Sequence, residues 1–442
     1  MPDSTNLDLT RHNSHQPNST NLRKRGPRRR LHPNLAAVSR PLGGMVVPRR
    51  ALLAAWVLAA ATAAPSADRE CVRQHLPGGV HLLARDGQDG RAAHVHRALQ
   101  AAHEAAVDCR AAHDLVFKPL GGWGDQIRGM VTVFYAAALT HRGFAATWSP
   151  LFTVDDYFET RLAAYSRDAG AAELAAPVIA VVHNSTHFKE PAAVDALLSL
   201  PGSAVVHTNA FQWAELARLP RLRAAAEHLG VAGLSQEALF VLAVQVMLPR
   251  PAPAVEAHVN TALGRAAQTR IEFGRRVAHS AHKRRPLTIG VQIRTGGIGE
   301  AWDDDQRLPL SSAVCFAAEA ARLCGGVRCL VFLTADSGAA ADRFRAALTA
   351  VAGVDAAVVE HAGPILHTAQ GVPRAAPDEP SIDPWLKTFV DWTALSQVDA
   401  LLMSRSGFGW TAGWAGRVPY LRMLREGAAC VWIDFDTPDG LF

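Results

Sequence analysis

An excess of positive charge is missing from most of this 442-residue chain, although its total formal charge is +5. Residues 1–50 hold ten basic and two acidic residues, which leaves 35 basic and 38 acidic residues in the remainder. The leader contains the run RKRGPRRR at 23–30, for which a nuclear-localisation or nucleic-acid-binding tail is the alternative interpretation. Because the rest of the chain has no basic surplus, we predict no nucleic-acid partner.

Long hydrophobic runs are also missing. The apolar stretch 51–64 is shorter than the roughly 20 residues that span a bilayer. It follows Arg49 and Arg50 and contains the small residues Ala61–Ala63, the pattern of a secretory signal over 45–67. We expect cleavage of this segment, with a short type II signal-anchor or a buried Ala-rich helix as the alternatives.

Met45 stands where a signal peptide begins, so we interpret residues 1–44 as a basic, disordered leader that is an upstream start or a gene-model extension. The sequon at Asn184 predicts glycosylation in a lumenal segment. We therefore expect a protein of the ER or Golgi lumen or a secreted one, which touches a membrane only through an N-terminal anchor.

Cysteine is scarce, and no two cysteines have C-x-x-C spacing, so a zinc ribbon or a thioredoxin-like motif is unsupported. An even number of cysteines in an exported chain predicts disulfides, with 15 full pairings open for six residues. All six follow the signal segment: Cys71, Cys109, Cys315, Cys324, Cys329 and Cys430.

Strand-like and helix-like segments alternate along the rest of the chain, which predicts an α/β protein with mainly parallel sheets. We predict a domain over 71–283 and a second over 284–442, joined by a basic stretch at 274–286. The first domain contains predicted strands at 115–120, 144–148, 176–183 and 203–209 and a helix at 127–143, after a glycine-rich loop. The second contains predicted strands at 287–294, 328–336, 355–361, 399–404 and 430–434 and helices at 312–324 and 386–397.

Ligands of parallel sheets bind beyond the carboxyl ends of the strands. The first such end is GGWGDQIRG at 121–129, where glycines allow a tight turn and a helix N-terminus favours negative charge. This loop has neither the Walker A lysine nor the G-x-G-x-x-G spacing. A plain turn, with Asp125 interacting with the helix dipole, is the alternative.

Two further strand ends carry polar side chains. The guanidinium of Arg294, in GVQIRTGG, suits phosphate oxygens, with an ion pair to the acidic run 303–305 as the alternative. Thr334, Asp336 and Ser337 stand at the end of the next strand and suit either a base and ribose or the cap of the next helix.

The fourth strand end is MSRSGFGWTAGWAG at 403–416. Ser404, Ser406 and Gly407 form a short loop that enters a helix, which suits a diphosphate, and Phe408 suits a sugar or base. Another tight turn is the alternative.

Asp-x-Asp occurs at 303–305 and 434–436, and two histidines are spaced i, i+4 at 183 and 187 without the glutamate of H-E-x-x-H. Neither pattern is specific, and we expect no metal site.

In this order, the four stretches resemble the fucosyltransferase superfamily, which has a G-x-[GFL]-[DN]-[RQ]-[ILM]-x-G loop, an [HQ]-[IL]-R strand, an [ST]-x-D strand end and an S-x-[SF]-G-[FS] loop. The stretch LFVLAVQVMLPRPAPAVEAHV at 239–259 is similar to a region of its plant-type members. The resemblance spans about residues 115–412.

The resemblance implies a GT-B-like fold with two Rossmann-like domains facing across a cleft. It also implies an inverting transfer of fucose from GDP-fucose to a glycan, polysaccharide or glycoprotein hydroxyl, with no cofactor or metal. Another nucleotide sugar as donor, or a non-catalytic glycan-binding relative, are the alternative functions.

By the resemblance, Arg294 binds the donor diphosphate. Gly297 departs from relatives with a polar group there, and Gln292 replaces a histidine, which leaves the general base open between Asp125 and the acidic stretch with Glu300. The donor-binding residues implied are Gly122, Gly124, Gln292, Arg294, Thr295, Asp336, Ser337, Ser404, Ser406, Gly407 and Phe408.

Overall fold

The computed structural model describes part of the chain, and all described residues fall within Ala54–Phe442. The signal segment 45–67, the sequon at Asn184, the linker 274–286 and Glu300 lie outside the described residues. The structure describes residues 88–108, 114–147, 152–160, 204–209, 211–263, 287–297, 308–351, 353–363, 383, 385–425 and 430–434.

The amino half, residues 88–263, is built around a three-stranded parallel sheet, and a short antiparallel pair of strands lies apart from it. The strands are β1 (Asp114–Lys118), β2 (Gly143–Ala146), β3 (Phe158–Glu159), β4 (Ala204–His207) and β5 (Arg250–Pro251). The sheet has the order β2-β1-β4 with a helix crossing from β1 to β2, and the antiparallel pair is β3 and β5. The helices are α1 (Gln88–Asp108), α2 (Trp123–Leu139), α3 (Trp213–Arg218), α4 (Arg223–His228) and α5 (Gln236–Met247), with residues 253–263 also helical.

The predicted strands at 115–120, 144–148 and 203–209 are confirmed, and the predicted strand at 176–183 lies outside the described residues. The prediction of a glycine-rich loop followed by a helix from 127 was wrong in its boundary, because α2 begins at Trp123. Gly122 is the extended residue before the helix, and the weak helix preference of glycine is overridden by the burial of nearly every side chain of α2.

The carboxyl half, residues 287–434, is built around a six-stranded sheet. The strands are β6 (Leu287–Ile293), β7 (Cys329–Ala335), β8 (Ala356–Val359), β9 (Ala400–Met403), β10 (Leu421–Leu424) and β11 (Trp432–Asp434). Their order in the sheet is β11-β10-β9-β6-β7-β8. The helices are α6 (Ser312–Cys324), α7 (Gly338–Thr349), α8 (Leu386–Leu395) and α9 (Gly407–Ala415).

The parallel α/β class is confirmed, since the neighbours from β8 to β10 all pair in parallel. The last strand, β11, pairs antiparallel with β10. The strand β10 was not predicted, because its four residues carry too little pattern to distinguish a strand from a loop.

The two halves share one apolar core, and seven aromatic side chains form a seam between them. Tyr157 stacks on Phe389 with ring centroids 4.0 Å apart, and Trp123 meets Phe389 edge-on at 4.9 Å. The seam residues are Trp123, Phe152, Tyr157 and Phe158 of the amino half and Trp385, Phe389 and Trp392 of the carboxyl half. The division into two domains near residue 284 stays a prediction.

Among the described residues, no helix is both long and apolar enough to cross a membrane.

The four cysteines in the described part of the chain form two disulfides, as an exported protein predicts. Cys315–Cys430 ties α6 to the segment before β11 across 115 residues, and Cys324–Cys329 closes the turn between α6 and β7. Cys71 and Cys109 lie outside the described residues.

A polar contact also joins the halves. His361 Nε2, after β8, lies 3.2 Å from Nδ1 of His258 in the helical residues 253–263. The carbonyl oxygen of His361 accepts a hydrogen bond from Lys387 Nζ at 2.7 Å. Burial lowers the pKa of His361, and Lys387 and His258 lower it further, against an opposing effect of Asp391.

Replacing both cysteines of one disulfide with alanine should destabilise the protein by an amount that depends on the length of chain the disulfide closes. The chain-entropy relation predicts a loss of about 5 kcal/mol in the free energy of unfolding without Cys315–Cys430, and of about 2 kcal/mol without Cys324–Cys329. Denaturant unfolding measures both values. Equal losses would show that the long loop is already restricted in the unfolded chain.

Acidification should destabilise the protein through His361. Its folded-state pKa lies below the ordinary value of 6.5, so the unfolded chain binds the proton first and stability falls as the pH drops from about 6.5 through the folded pKa. His361→Gln should flatten the pH dependence of the melting temperature over this window, while His96→Gln on α1 serves as the control. If the melting temperature of His361→Gln depended on pH as strongly as that of the unmodified protein, the acid destabilisation would not come from His361.

Candidate functional site

Polar residues from three neighbouring strands meet at the carboxyl edge of the larger sheet. Arg294 follows β6, Asp336 follows β7 and Ser404 follows β9, and β6 lies between the other two strands. Because these strands run parallel, the structure brings together the three strand ends that the sequence analysis singled out.

Asp336 holds the turn that follows β6. Its carboxylate accepts hydrogen bonds from the backbone nitrogens of Thr295, Gly296 and Gly297 at 2.7, 2.9 and 3.2 Å, and from the Thr295 hydroxyl at 2.9 Å. Both glycines have positive φ, 91° and 74°, which disfavours a side chain at either position. The conformation of this turn therefore explains why position 297 is a glycine, and Asp336 holds the turn that begins at Arg294. The predicted contact between Asp336 and the nucleotide stays a prediction.

Ser404, which follows the strand on the other side of β6, contacts the backbone of Arg294. Its hydroxyl accepts from the backbone nitrogen of Arg294 at 2.8 Å and donates to the carbonyl oxygen of Gln292 at 3.2 Å. Ser404 is buried, whereas Arg294 is half-buried. Ser404 thus fixes the backbone from which Arg294 projects.

The helix α9 begins directly after this edge. The Ser406 hydroxyl accepts from the backbone nitrogen of Phe408 at 3.3 Å, so Ser406 caps the helix. Phe408 packs against the core shared by the halves, and Ser337 is fully buried before α7. Beneath α9, Gln292 is buried, and its Oε1 has no hydrogen-bond partner among the described residues.

The N-terminus of α2 meets the N-terminus of α9. A Cβ added at Gly124 would lie 2.2 Å from both the carbonyl carbon of Gly407 and the nitrogen of Phe408. Only a glycine at position 124 allows this approach. Two helix N-termini, each with partial positive charge, therefore lie side by side near the sheet edge.

Asp125 lies at this junction, in the first turn of α2. Its carboxylate accepts a hydrogen bond from Arg128, and its side chain is 34% exposed. A Cβ at Gly407 would be 3.4 Å from Asp125 Oδ1, so the carboxylate faces the start of α9. Of the candidates for a general base, Asp125 is the one within the described residues.

A buried ion pair lies behind the same edge, and the sequence analysis did not identify it. Lys387 Nζ is 2.9 Å from Asp391 Oδ2, which also accepts from the Thr334 hydroxyl at 2.8 Å. Asp391 Oδ1 has no hydrogen-bond partner within the described part of the chain. The i, i+4 spacing of a lysine and an aspartate on a predicted helix was the available signal.

No cluster of three or more His, Cys, Asp or Glu side chains suited to a metal ion occurs among the described residues. The Asp303–Asp305 run, His183 and His187 lie outside them, and Asp434 pairs with Arg422 at 2.6 Å. A metal-independent site stays a prediction.

No protein-family model and no curated protein matches the chain. Several solved structures are similar to it. A mutant of Arabidopsis thaliana FUT1 in complex with GDP has 12% identity and a TM-score of 0.48 over 77% of this chain and 80% of that one.

NodZ from Bradyrhizobium, a fucosyltransferase, has 14% identity and a TM-score of 0.40 over 73% of this chain and 99% of that one. NodZ α-1,6-fucosyltransferase soaked with GDP-fucose has 15% identity and a TM-score of 0.40 over 74% and 100%.

Gly124→Ala should separate α2 from α9, because the added Cβ meets backbone atoms that cannot rotate away. We expect a loss of about 3 kcal/mol in the free energy of unfolding, against about 1 kcal/mol for the control Gly290→Ala. The Cβ of that control would contact only side-chain atoms, 2.9–3.1 Å away. Denaturant unfolding measures both, and equal losses would mean that the helices do not need this approach.

Proposed function

We propose that this protein is a GDP-fucose-dependent glycosyltransferase of the secretory pathway. The observation that carries the proposal is the convergence of Arg294 with the N-terminus of α9 at one sheet edge, and of α2 with α9 at Gly124 and Gly407. This arrangement suits a diphosphate, since guanidinium and helix N-termini stabilise phosphate oxygens. The ordered sequence motifs support fucose as the sugar and a GT-B-like arrangement of two domains across a cleft.

The transfer of the sugar needs two things from the protein, a proton acceptor and stabilisation of the leaving diphosphate. The acceptor hydroxyl oxygen bonds to C1 of the sugar from the face opposite the diphosphate, and the C1–oxygen bond to the diphosphate breaks. The electron pair leaves with GDP, and the proton of the hydroxyl passes to a carboxylate, for which we propose Asp125. Arg294 and the helix N-termini offset the negative charge that grows on the leaving diphosphate, without a metal.

Secretory localisation is supported by the signal pattern at 45–67, the sequon at Asn184 and the two disulfides. Within that pathway we propose the Golgi or ER lumen, or secretion. The acceptor is a glycan, a polysaccharide or a glycoprotein hydroxyl.

Arg294→Ala should abolish transfer with the fold intact. Losing a charge-assisted, bidentate contact to the diphosphate should weaken GDP binding more than about 100-fold. Calorimetric titration with GDP measures the affinity, and a donor screen with GDP-fucose and UDP-sugars measures turnover. Arg343→Ala, on the exposed face of α7, is the control.

Near-normal transfer by Arg294→Ala would refute its role. Turnover of UDP-sugars but not of GDP-fucose would identify another nucleotide sugar as donor. If the protein bound GDP but released none from GDP-fucose, it would be a non-catalytic, glycan-binding relative. The observation that favours this second function is Gly297, at a position where relatives have a polar residue.

A further inference from the structure

Arg128 lies one turn inside α2, where this helix crosses α9. Its guanidinium carbon is 5.6 Å from the ring centroid of Phe211 and 5.7 Å from that of Trp410. Only 12% of the side chain is exposed, and Nε has no hydrogen-bond partner among the described residues. The flat cation is therefore held between an aromatic ring of the amino half and one of α9.

A guanidinium buried this far needs a counter-charge, because an unpaired buried charge is costly. Asp125 supplies it through the hydrogen bond from Arg128 Nη2. The pairing also restricts Asp125, since a partly exposed aspartate in a first helical turn otherwise has several rotamers. One oxygen of the carboxylate is consequently held towards Gly407, at the start of α9.

We infer that Arg128 is a positioning residue that fixes the Asp125 carboxylate at the junction of α2 and α9. The inference rests on the proposed function, in which Asp125 takes the acceptor proton. The G-x-[GFL]-[DN]-[RQ]-[ILM]-x-G pattern accepts any residue at position 128, so the pattern assigns no role to this arginine. Displacing a reacting group by about 1 Å costs on the order of 100-fold in rate, which is the effect that Arg128 prevents.

The inference is tested by a double-mutant cycle on Arg128 and Asp125. Arg128→Met keeps an unbranched apolar stem between the rings and removes the charge, and Asp125→Asn removes the proposed base. We expect Arg128→Met to bind GDP within about threefold of the unmodified protein and to lose about 10- to 100-fold in kcat. In the Asp125→Asn background, Arg128→Met should change kcat less than about twofold, because it acts through Asp125.

Two further variants separate positioning from packing. Arg128→Lys, which keeps the charge without the planar face, should have a kcat between those of Arg128→Met and the unmodified protein. Arg223→Met removes an exposed i, i+4 pair with Glu227, far from the junction in sequence, and should leave kcat unchanged. Melting temperatures confirm that each rate refers to folded protein.

An unchanged kcat per folded molecule in Arg128→Met would overturn the inference. It would also be overturned if the loss of kcat in the double variant equalled the product of the losses in Arg128→Met and Asp125→Asn, because the two residues would then act independently. A protein that binds no GDP and turns over no donor would refute the proposed function, and the inference with it. An active protein that is insensitive to Arg128→Met would refute only the inference.

Discussion

The close approach of Gly124 and Gly407 is the contact on which the candidate site depends. It places two helix N-termini, one from each half of the protein, within backbone contact. Two partial positive charges in such proximity repel each other unless an anion lies near them. Asp125 places a carboxylate at the edge of this junction, with one oxygen towards Gly407. The same backbone contact thus connects the architecture of the fold with the chemistry of the site.

The aromatic seam makes this approach stable. Rings from both halves pack face-on and edge-on within one core, which holds α2 against α8. The indole nitrogen of Trp392 on α8 donates to the hydroxyl of Thr411 on α9, so the same packing positions α9. The histidine pair His258–His361 adds a polar contact between the halves. Burial lowers the pKa of His361, so its protonation in acid destabilises the folded protein.

Most of the polar side chains described at the sheet edge form hydrogen bonds within the protein itself. Asp336, Thr295 and Ser404 use their side chains to hold the turns that carry Arg294, and Ser406 caps α9. Several residues that the family resemblance implies as donor contacts are thus seen to shape the backbone. The groups that suit a ligand are Arg294, the helix N-termini and Asp125.

The strands β6 to β9, the helices α6 and α8 and the polar strand ends could be predicted from the sequence, because periodicity and strand ends depend on neighbouring residues. The start of α2 and the strand β10 could not, since glycine preference and four residues of pattern are weaker than tertiary packing. The partners of the site residues needed the folded chain. Gly124 and Gly407, or Arg128 and Trp410, are more than 280 positions apart, and no local pattern encodes such a contact. The sequence by itself determined which residues stand at strand ends, whereas the tertiary structure decided which of them hydrogen-bond the backbone, as Asp336 and Ser404 do, because those partners are distant in the chain.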